Sequence, residues 1–265
     1  MIERLSFNQI TSKNAMLREC VEACARHGVR WIAPWRERVA EAGLRESAQM
    51  IRNAGLRVSS LCRGGFFPAL SESERRARIE DNLRAVDEAA ELAAQCLVLV
   101  CGGVVGRDID GSRQMVADGI AAVAEHARAR HVVLGIEPLH PMFAADRSVI
   151  ATLAEALDLA ERFDARVVVD VFHVWWDPRL YSDLRRAAGR IAGFHVSDWA
   201  VPLPGIFAGR SMMGDGVIEL RRIREAVDAA GYEGPIEVEI MNESIWAEPL
   251  DALFPRMIER FRSFV

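Results

Sequence analysis

The sequence predicts an α/β protein built as one (β/α)8 barrel, and three observations predict it. Short β-rich runs alternate with longer amphipathic stretches from one end of the chain to the other. Eight such runs in 265 residues give a repeat of about 33 residues, the period of a strand–helix unit in a closed barrel. The runs are almost wholly apolar (CLVLVC, RVVVDV, IEVEI), as strands of a parallel sheet covered on both faces are. A doubly wound sheet is the rival architecture, but it has fewer strands, and no GxGxxG follows the first run here. No linker, low-complexity tract or break in composition divides residues 1–265, so a single domain is expected.

The strand candidates are residues 4–7, 29–33, 57–61, 96–101, 132–137, 166–171, 191–196 and 236–240. Between the third and fourth, residues 73–93 give the clearest helix. Its Ile79, Leu83, Val86, Ala90 and Ala93 recur at steps of three or four and predict one buried stripe. Asn53-Ala54-Gly55 and Ala230-Gly231 read as helix ends, with glycine supplying the left-handed cap. Pro178 and Pro249 stand where a following helix begins. Three connections are longer than the rest: 62–70, 102–111, and the Gly- and Pro-rich 197–216. All three follow strands, which places them at the C-terminal mouth of a barrel, where chemistry is hosted.

Composition excludes several classes. With 51% hydrophobic and 27% charged residues the chain is neither disordered nor fibrous. A net charge of −5 offers no general attraction to nucleic acid or to an anionic membrane surface. Lys13 is the only lysine, at an expected helix start, so Schiff-base and pyridoxal chemistry lack their reacting amine. The five cysteines, Cys20, Cys24, Cys62, Cys96 and Cys101, are odd in number and form no CxxC pair, which points to a reducing compartment. The N-terminal MIERLSFNQI has no signal-peptide pattern and no run of 18 apolar residues occurs, so a cytoplasmic protein is expected.

Four strands in succession end in a candidate metal ligand. The fifth ends GIEP with Glu137, and the sixth ends in Asp170, followed three residues later by His173. The seventh carries His195 and Asp198, and the eighth carries Glu239. A single carboxylate at a strand end is ordinarily solvated or caps a helix. Four ionisable groups on consecutive apolar strands of one mouth would repel without a cation, because such groups are almost never buried unpaired. Three carboxylates and one imidazole form a hard, oxygen-rich set, suited to Mn²⁺ or Mg²⁺, with Zn²⁺ or Co²⁺ tolerated.

The pattern Glu…DxxH…HxxD…Glu on the last four strands resembles the xylose-isomerase-like TIM barrels. More narrowly it resembles the sugar phosphate isomerase/epimerase group that includes D-tagatose 3-epimerase and the inositol-catabolism enzymes. The resemblance spans essentially the whole chain and is strongest from Glu137 to Glu239. It implies one divalent metal ion held by Glu137, Asp170, His195 and Glu239, with His173 contacting substrate oxygen and Arg210, in GRSMMGDG, facing the substrate. Endonuclease IV shares the scaffold but uses a three-zinc cluster with added histidines. This chain has Ser211-Met212-Met213 in the corresponding stretch and only six histidines in all, which argues against a nuclease.

The expected chemistry is proton transfer beside the carbonyl of a keto sugar or related polyol ketone, through a metal-stabilised enediolate. Of Glu137 and Glu239, one removes the proton and the other returns one, giving an isomerase or epimerase. Expulsion of a β-hydroxyl from the same enediolate would instead make the enzyme a dehydratase on a keto-inositol or keto-sugar, and sequence does not divide the two. Ligand charge against a divalent ion favours a neutral substrate. Arg63-Gly64-Gly65 and Gly102-Gly103 read either as amides for a phosphate or as tight turns. Trp31, Trp35, Phe66, Phe67, Trp175, Trp176, Trp199 and Trp246 lie mostly at or just after strand ends, with Trp35 and Arg63 the candidates for substrate contact. Phe66-Phe67 also offers a surface for a second copy of the chain, that is, a homo-oligomer.

Overall fold

The computed structural model describes residues 2–206 and 208–265. Phe207, in the long 197–216 connection, lies outside the described residues. The first strand, β1 (Leu5–Asn8), is followed by α1 (Leu17–Arg26), then β2 (Trp31–Ala33), α2 (Arg36–Ala42) and α3 (Leu44–Asn53). The third strand comes in two pieces, β3 (Arg57–Val58) and β4 (Leu61–Gly65), before α4 (Glu72–Glu91). Regular alternation continues through β5 (Leu97–Val100), α5 (Ile109–Ala129), β6 (Leu134–Glu137), α6 (Leu153–Phe163) and β7 (Arg166–Asp170). Then come the single turn α7 (Val171–Val174), α8 (Leu180–Arg186) and β8 (Ile191–Val196). A ribbon of β9 (Asp198–Trp199) and β10 (Arg210–Ser211) precedes α9 (Leu220–Ala229), β11 (Ile236–Val238), α10 (Glu243–Trp246) and α11 (Leu250–Phe264).

The main sheet runs β3-β2-β1-β11-β8-β7-β6-β5-β4, every neighbouring pair parallel. Its two ends are the two halves of the third strand. Ser59 N still donates to Ile32 O (3.0 Å), while Leu61 N donates across to Cys96 O (3.0 Å), so the chain changes partners at Ser59-Ser60 and the barrel closes. The sequence places this strand at 57–61 and a loop at 62–70. The structure instead carries the strand on to Gly65, because the glycines that resemble a turn are required by packing. A Cβ on Gly64 would lie 2.7 Å from Asn82 Oδ1 and 2.9 Å from Leu99 Cδ2.

Alternation along each strand builds two cores. Outward residues such as Phe7, Leu97, Leu99, Ile136, Val169, Phe194 and Val238 pack under the helices, whereas Cys96, Val98 and Val168 form a small apolar plug of their own. The helix predicted at 73–93 forms as α4, with Ser71 capping Glu74 N (3.2 Å) and Glu74 reaching back to Ser71 N (3.3 Å). Its buried face is Asn82, Ala85, Val86 and Ala89, with Ile79, Leu83 and Ala90 only partly buried and Ala93 exposed beyond the helix end. The rotation follows from Asn82, whose Oδ1 accepts from Gly65 N (2.6 Å) and whose Nδ2 donates to Gly65 O (2.8 Å). All five cysteines are free and buried. Among the described residues no helix is long and apolar enough to cross a membrane.

Candidate metal centre and active site

Each ligand candidate stands at or beside the C-terminal end of a neighbouring strand. Glu137 closes β6, Asp170 closes β7, His195 is the penultimate residue of β8 and Glu239 follows β11. All four point inward, at 5, 0, 2 and 4% exposure, and one ligand atom from each lies within 4.8 Å of the others. The four residues brought together are those that the sequence resemblance implies.

Local structure divides the work of each atom. Asp170 caps α7 by accepting from Phe172 N (2.9 Å) through Oδ1, which leaves Oδ2 for the ligand cluster. One helical turn then sets His173 above it, Nε2 lying 3.8 Å from Asp170 Oδ2. His195 Nδ1 is 3.3 Å from both Glu137 Oε1 and Glu239 Oε2, while its Nε2 is turned the other way. Arg210 arrives from the loop after β8, pinned by the pairing of Arg210 with Trp199 and by Asn242 Nδ2 donating to Arg210 O (2.8 Å). Its Nη1 lies 2.7 Å from Asp170 Oδ2 and 3.2 Å from Glu239 Oε2, and its Nη2 is 3.1 Å from His173 Nε2.

Electrostatics follow from burial and from these contacts. Burial pushes Asp170 up to about 7 against the pull of Arg210, and it raises Glu137 despite His195. Glu239 goes the other way: burial is overcome by Arg210 and His195, which hold it well below the usual carboxylate range. Burial and the neighbouring Arg210 cation keep His173 neutral, well below an ordinary histidine. Glu137 Oε1 and both ring nitrogens of His195 are buried and in no hydrogen bond, and Asp170 Oδ2 has only its ion pair with Arg210. Unmet buried polar atoms cost about 1–3 kcal/mol each. Glu137 Oε1 and His195 Nδ1 converge with the carboxylates of Asp170 and Glu239, a set that fits a hard divalent cation.

The cavity beside this cluster is tight, about 50 Å³, and is lined by Glu137, His173, Arg210 and Glu239 together with Trp35, Arg63, Phe143 and Phe172. A larger cleft of about 400 Å³ at the opposite end of the barrel, around Gln95, Arg166 and Tyr232, contains none of the four ligand candidates. Of the residues predicted for the site, Trp35, Arg63, Glu137, His173, Arg210 and Glu239 line this cavity, and Asp170 and His195 stand in the ligand cluster beside it. Asp198, the other half of HxxD, does not: its carboxylate accepts from Trp199 N, Gly214 N and Ile218 N and holds the long loop in place.

Of the aromatics expected around the mouth, Trp35 lines the cavity, whereas Phe67 is buried in the main core and Trp246 Nε1 donates to Ile10 O. With Phe67 only 2% exposed, the Phe66-Phe67 pair is not a surface patch for a second copy. Phe143, Phe172 and Arg147 line the cavity and escaped the sequence reading, as did the buried Glu237. The charge count favouring a neutral substrate omitted both Arg147 and Glu237. For Glu237 a signal existed, since IEVEI puts two glutamates on one face of a strand.

Similarity to known proteins accords with this geometry. A protein from Sinorhizobium meliloti, SMc04130, superposes with a TM-score of 0.98 at 48% identity, covering 100% of this chain and 99% of that one. The 3-dehydroshikimate dehydratase of Pseudomonas aeruginosa is 30% identical over 198 residues, 68% of this chain, and the match spans 29% of that longer protein. The L-ribulose-5-phosphate 3-epimerase UlaE of Escherichia coli is 26% identical over 203 residues, 73% of this chain and 68% of that one. The family profile described as xylose isomerase-like TIM barrel matches residues 21–263, and the chain belongs to that family.

Proposed function

We propose that the protein is a divalent-metal-dependent sugar isomerase or epimerase that moves a proton beside the carbonyl of a keto sugar or related polyol ketone. One observation carries the reading. Within the ligand cluster, Glu137 and Glu239 line the cavity, whereas Asp170 and His195 do not. The two glutamates come from β6 and from the end of β11, with β7 and β8 between them in the sheet. Two carboxylates facing one cavity supply what deprotonation and reprotonation at a single carbon require.

Glu137, Asp170, His195 and Glu239 would hold the cation, which would supply Lewis acidity to the substrate carbonyl and so acidify the neighbouring C–H. The protein does the rest. One glutamate takes the proton on an oxygen not used as a ligand, and the other returns one from the opposite face or to the next carbon. Arg210 and His173 face the oxygen on which charge develops. Phe143, Phe172 and Trp35 offer flat apolar faces to the sugar C–H groups. Arg63, beside Phe66 at 4.0 Å, and Arg147 stand at the same cavity, so ketose phosphates and keto acids belong among the candidate substrates with neutral ketoses.

A second reading, a dehydratase, is favoured by the 30% identity to 3-dehydroshikimate dehydratase. The nuclease reading finds less support, since the described residues contain one cluster of candidate ligands, too few for three ions. The test is to incubate the Mn²⁺-loaded protein in D₂O with neutral ketoses, keto-glycosides, ketose phosphates and 3-dehydroshikimate, followed by NMR. Deuterium uptake beside the carbonyl without loss of water supports the isomerase. An unsaturated product formed with loss of water establishes the dehydratase. Metal binding with neither outcome overturns both.

A further inference from the structure

We propose that Glu237 is a positioning residue that fixes the orientation of the metal ligand His195 and ties it to the cavity wall through Asn8 and Trp35. The inference extends the metal-site reading above and rests on it. Glu237 is 1% exposed, and its Oε2 lies 3.3 Å from His195 Nε2, the ring nitrogen turned away from the ligand cluster. Sheet register sets the two side by side, with Glu237 opposite His195 on β8 and opposite Ser6 on β1.

The direction of every proton in this network follows from its far end. Trp35 Nε1–H, which can only donate, gives its proton to Asn8 Oδ1 (2.9 Å), and Ile10 N–H donates to the same oxygen (3.2 Å). Two donors on that oxygen fix the side-chain amide, so its NH₂ faces Glu237 and donates to Oε2 at 3.1 Å. Glu237 is then an acceptor, and its Oε2, 3.3 Å away, is the carboxylate oxygen that faces His195 Nε2, a nitrogen in no other hydrogen bond, so the ring proton belongs on that side. With its proton on Nε2, His195 presents the lone pair of Nδ1 to the point that Glu137 and Glu239 also face. A carboxylate behind a ligating imidazole fixes both its tautomer and its ring plane, and removing such a partner typically lowers metal affinity 10–100-fold. Because Trp35 lines the cavity, the same network joins a substrate-facing side chain to the metal ligand.

The experiment is a double-mutant cycle read as Mn²⁺ affinity by calorimetry, with unfolding followed by circular dichroism. Glu237→Gln is expected to weaken Mn²⁺ binding about 10–100-fold in the wild-type background. In a His195→Ala background it is expected to weaken binding less than about twofold, because its route to the metal is gone. Asn8→Ala, which removes the amide between Trp35 and Glu237, should lower affinity by less than Glu237→Gln and serves if that variant fails to fold. Equal losses in both backgrounds, or unchanged affinity in Glu237→Gln and Asn8→Ala, would overturn the proposal. Wild-type protein that binds no Mn²⁺ would sink the metal site itself, a result distinguishable from either.

Discussion

His173 Nδ1 accepts a hydrogen bond from the backbone N–H of His140 at 3.2 Å, and this contact decides which ring nitrogen is free to donate. A backbone N–H has no other role, so the proton of the neutral imidazole belongs on Nε2. Nε2–H is also the atom turned toward Arg210 (3.1 Å). Two donors face each other there, an arrangement that a substrate oxygen placed between them would resolve. His173 is therefore expected as the Nε2–H tautomer across neutral pH, measurable from ¹⁵N shifts. His173→Phe should lower kcat/KM about 10–100-fold, as the loss of a hydrogen bond to a charged oxygen does. The opposite tautomer, or full activity in His173→Phe, would remove this assignment.

In the proposed mechanism Glu137 and Glu239 divide proton removal from proton return. Mn²⁺-saturated Glu239→Gln should lose inversion by about 10³-fold with its fold intact. Exchange of the carbonyl-adjacent proton should persist in one epimer, since Glu137 still faces the cavity. Comparing deuterium uptake with product formation tests this, and undiminished inversion would take Glu239 out of the mechanism.

Arg210 is held between the carboxylates of Asp170 and Glu239. Arg210→Met should lower kcat/KM by about 10²-fold through loss of the charge proposed to face the oxyanion. It should also destabilise the chelator-treated protein by about 3–5 kcal/mol, because buried charges are left without their partner. Added Mn²⁺ should reduce that loss. Unchanged kcat/KM would refute the catalytic part of this assignment, and denaturant unfolding with and without metal checks the rest.

Asn82 is the polar residue on the buried face of α4 and meets both backbone groups of Gly65. Asn82→Ala strands a buried donor and a buried acceptor, with an expected cost of about 2–4 kcal/mol. Denaturant unfolding measures it; a change below the scatter of surface substitutions would show that the two contacts contribute nothing.

Asp81 is paired with Arg36 (2.9 Å), which also grips Glu88 (2.6 Å). The Arg36 hydrogen bond holds the Asp81 carboxyl below its usual value of 3.8. A depressed native value stabilises the fold above 3.8, and that contribution fades as pH falls through the native value. With Asp81 half exposed, Asp81→Asn should cost only about 0.5 kcal/mol near neutral pH. Wild type and variant should converge in strong acid; a gap that widens there would contradict the pairing.

The barrel and its four candidate ligands were legible because carboxylates and imidazoles are out of place at the ends of apolar strands. Glu137, Asp170, His173, His195, Asp198 and Glu239 stood out by residue type, and the family resemblance picked Glu137, Asp170, His195 and Glu239 from among them. The extension of the third strand to Gly65 was hidden because Gly64-Gly65 reads as a turn when Asn82 and Leu99, the neighbours that exclude a side chain, are distant in sequence. Phe143 and Arg147 sit in a connection with no periodicity, and only folding brings them to the cavity. Ala93 illustrates the opposite error: helical spacing extended the apolar stripe past the residue where the helix stops.

Titration of chelator-treated protein with Mn²⁺, wild type beside Asp170→Asn, tests the central claim most directly, since Asp170 belongs to the cluster but does not line the substrate cavity. One ion per chain, with affinity reduced at least about tenfold by the substitution, is the predicted result. Absence of binding, or an affinity the same in both proteins, would contradict it.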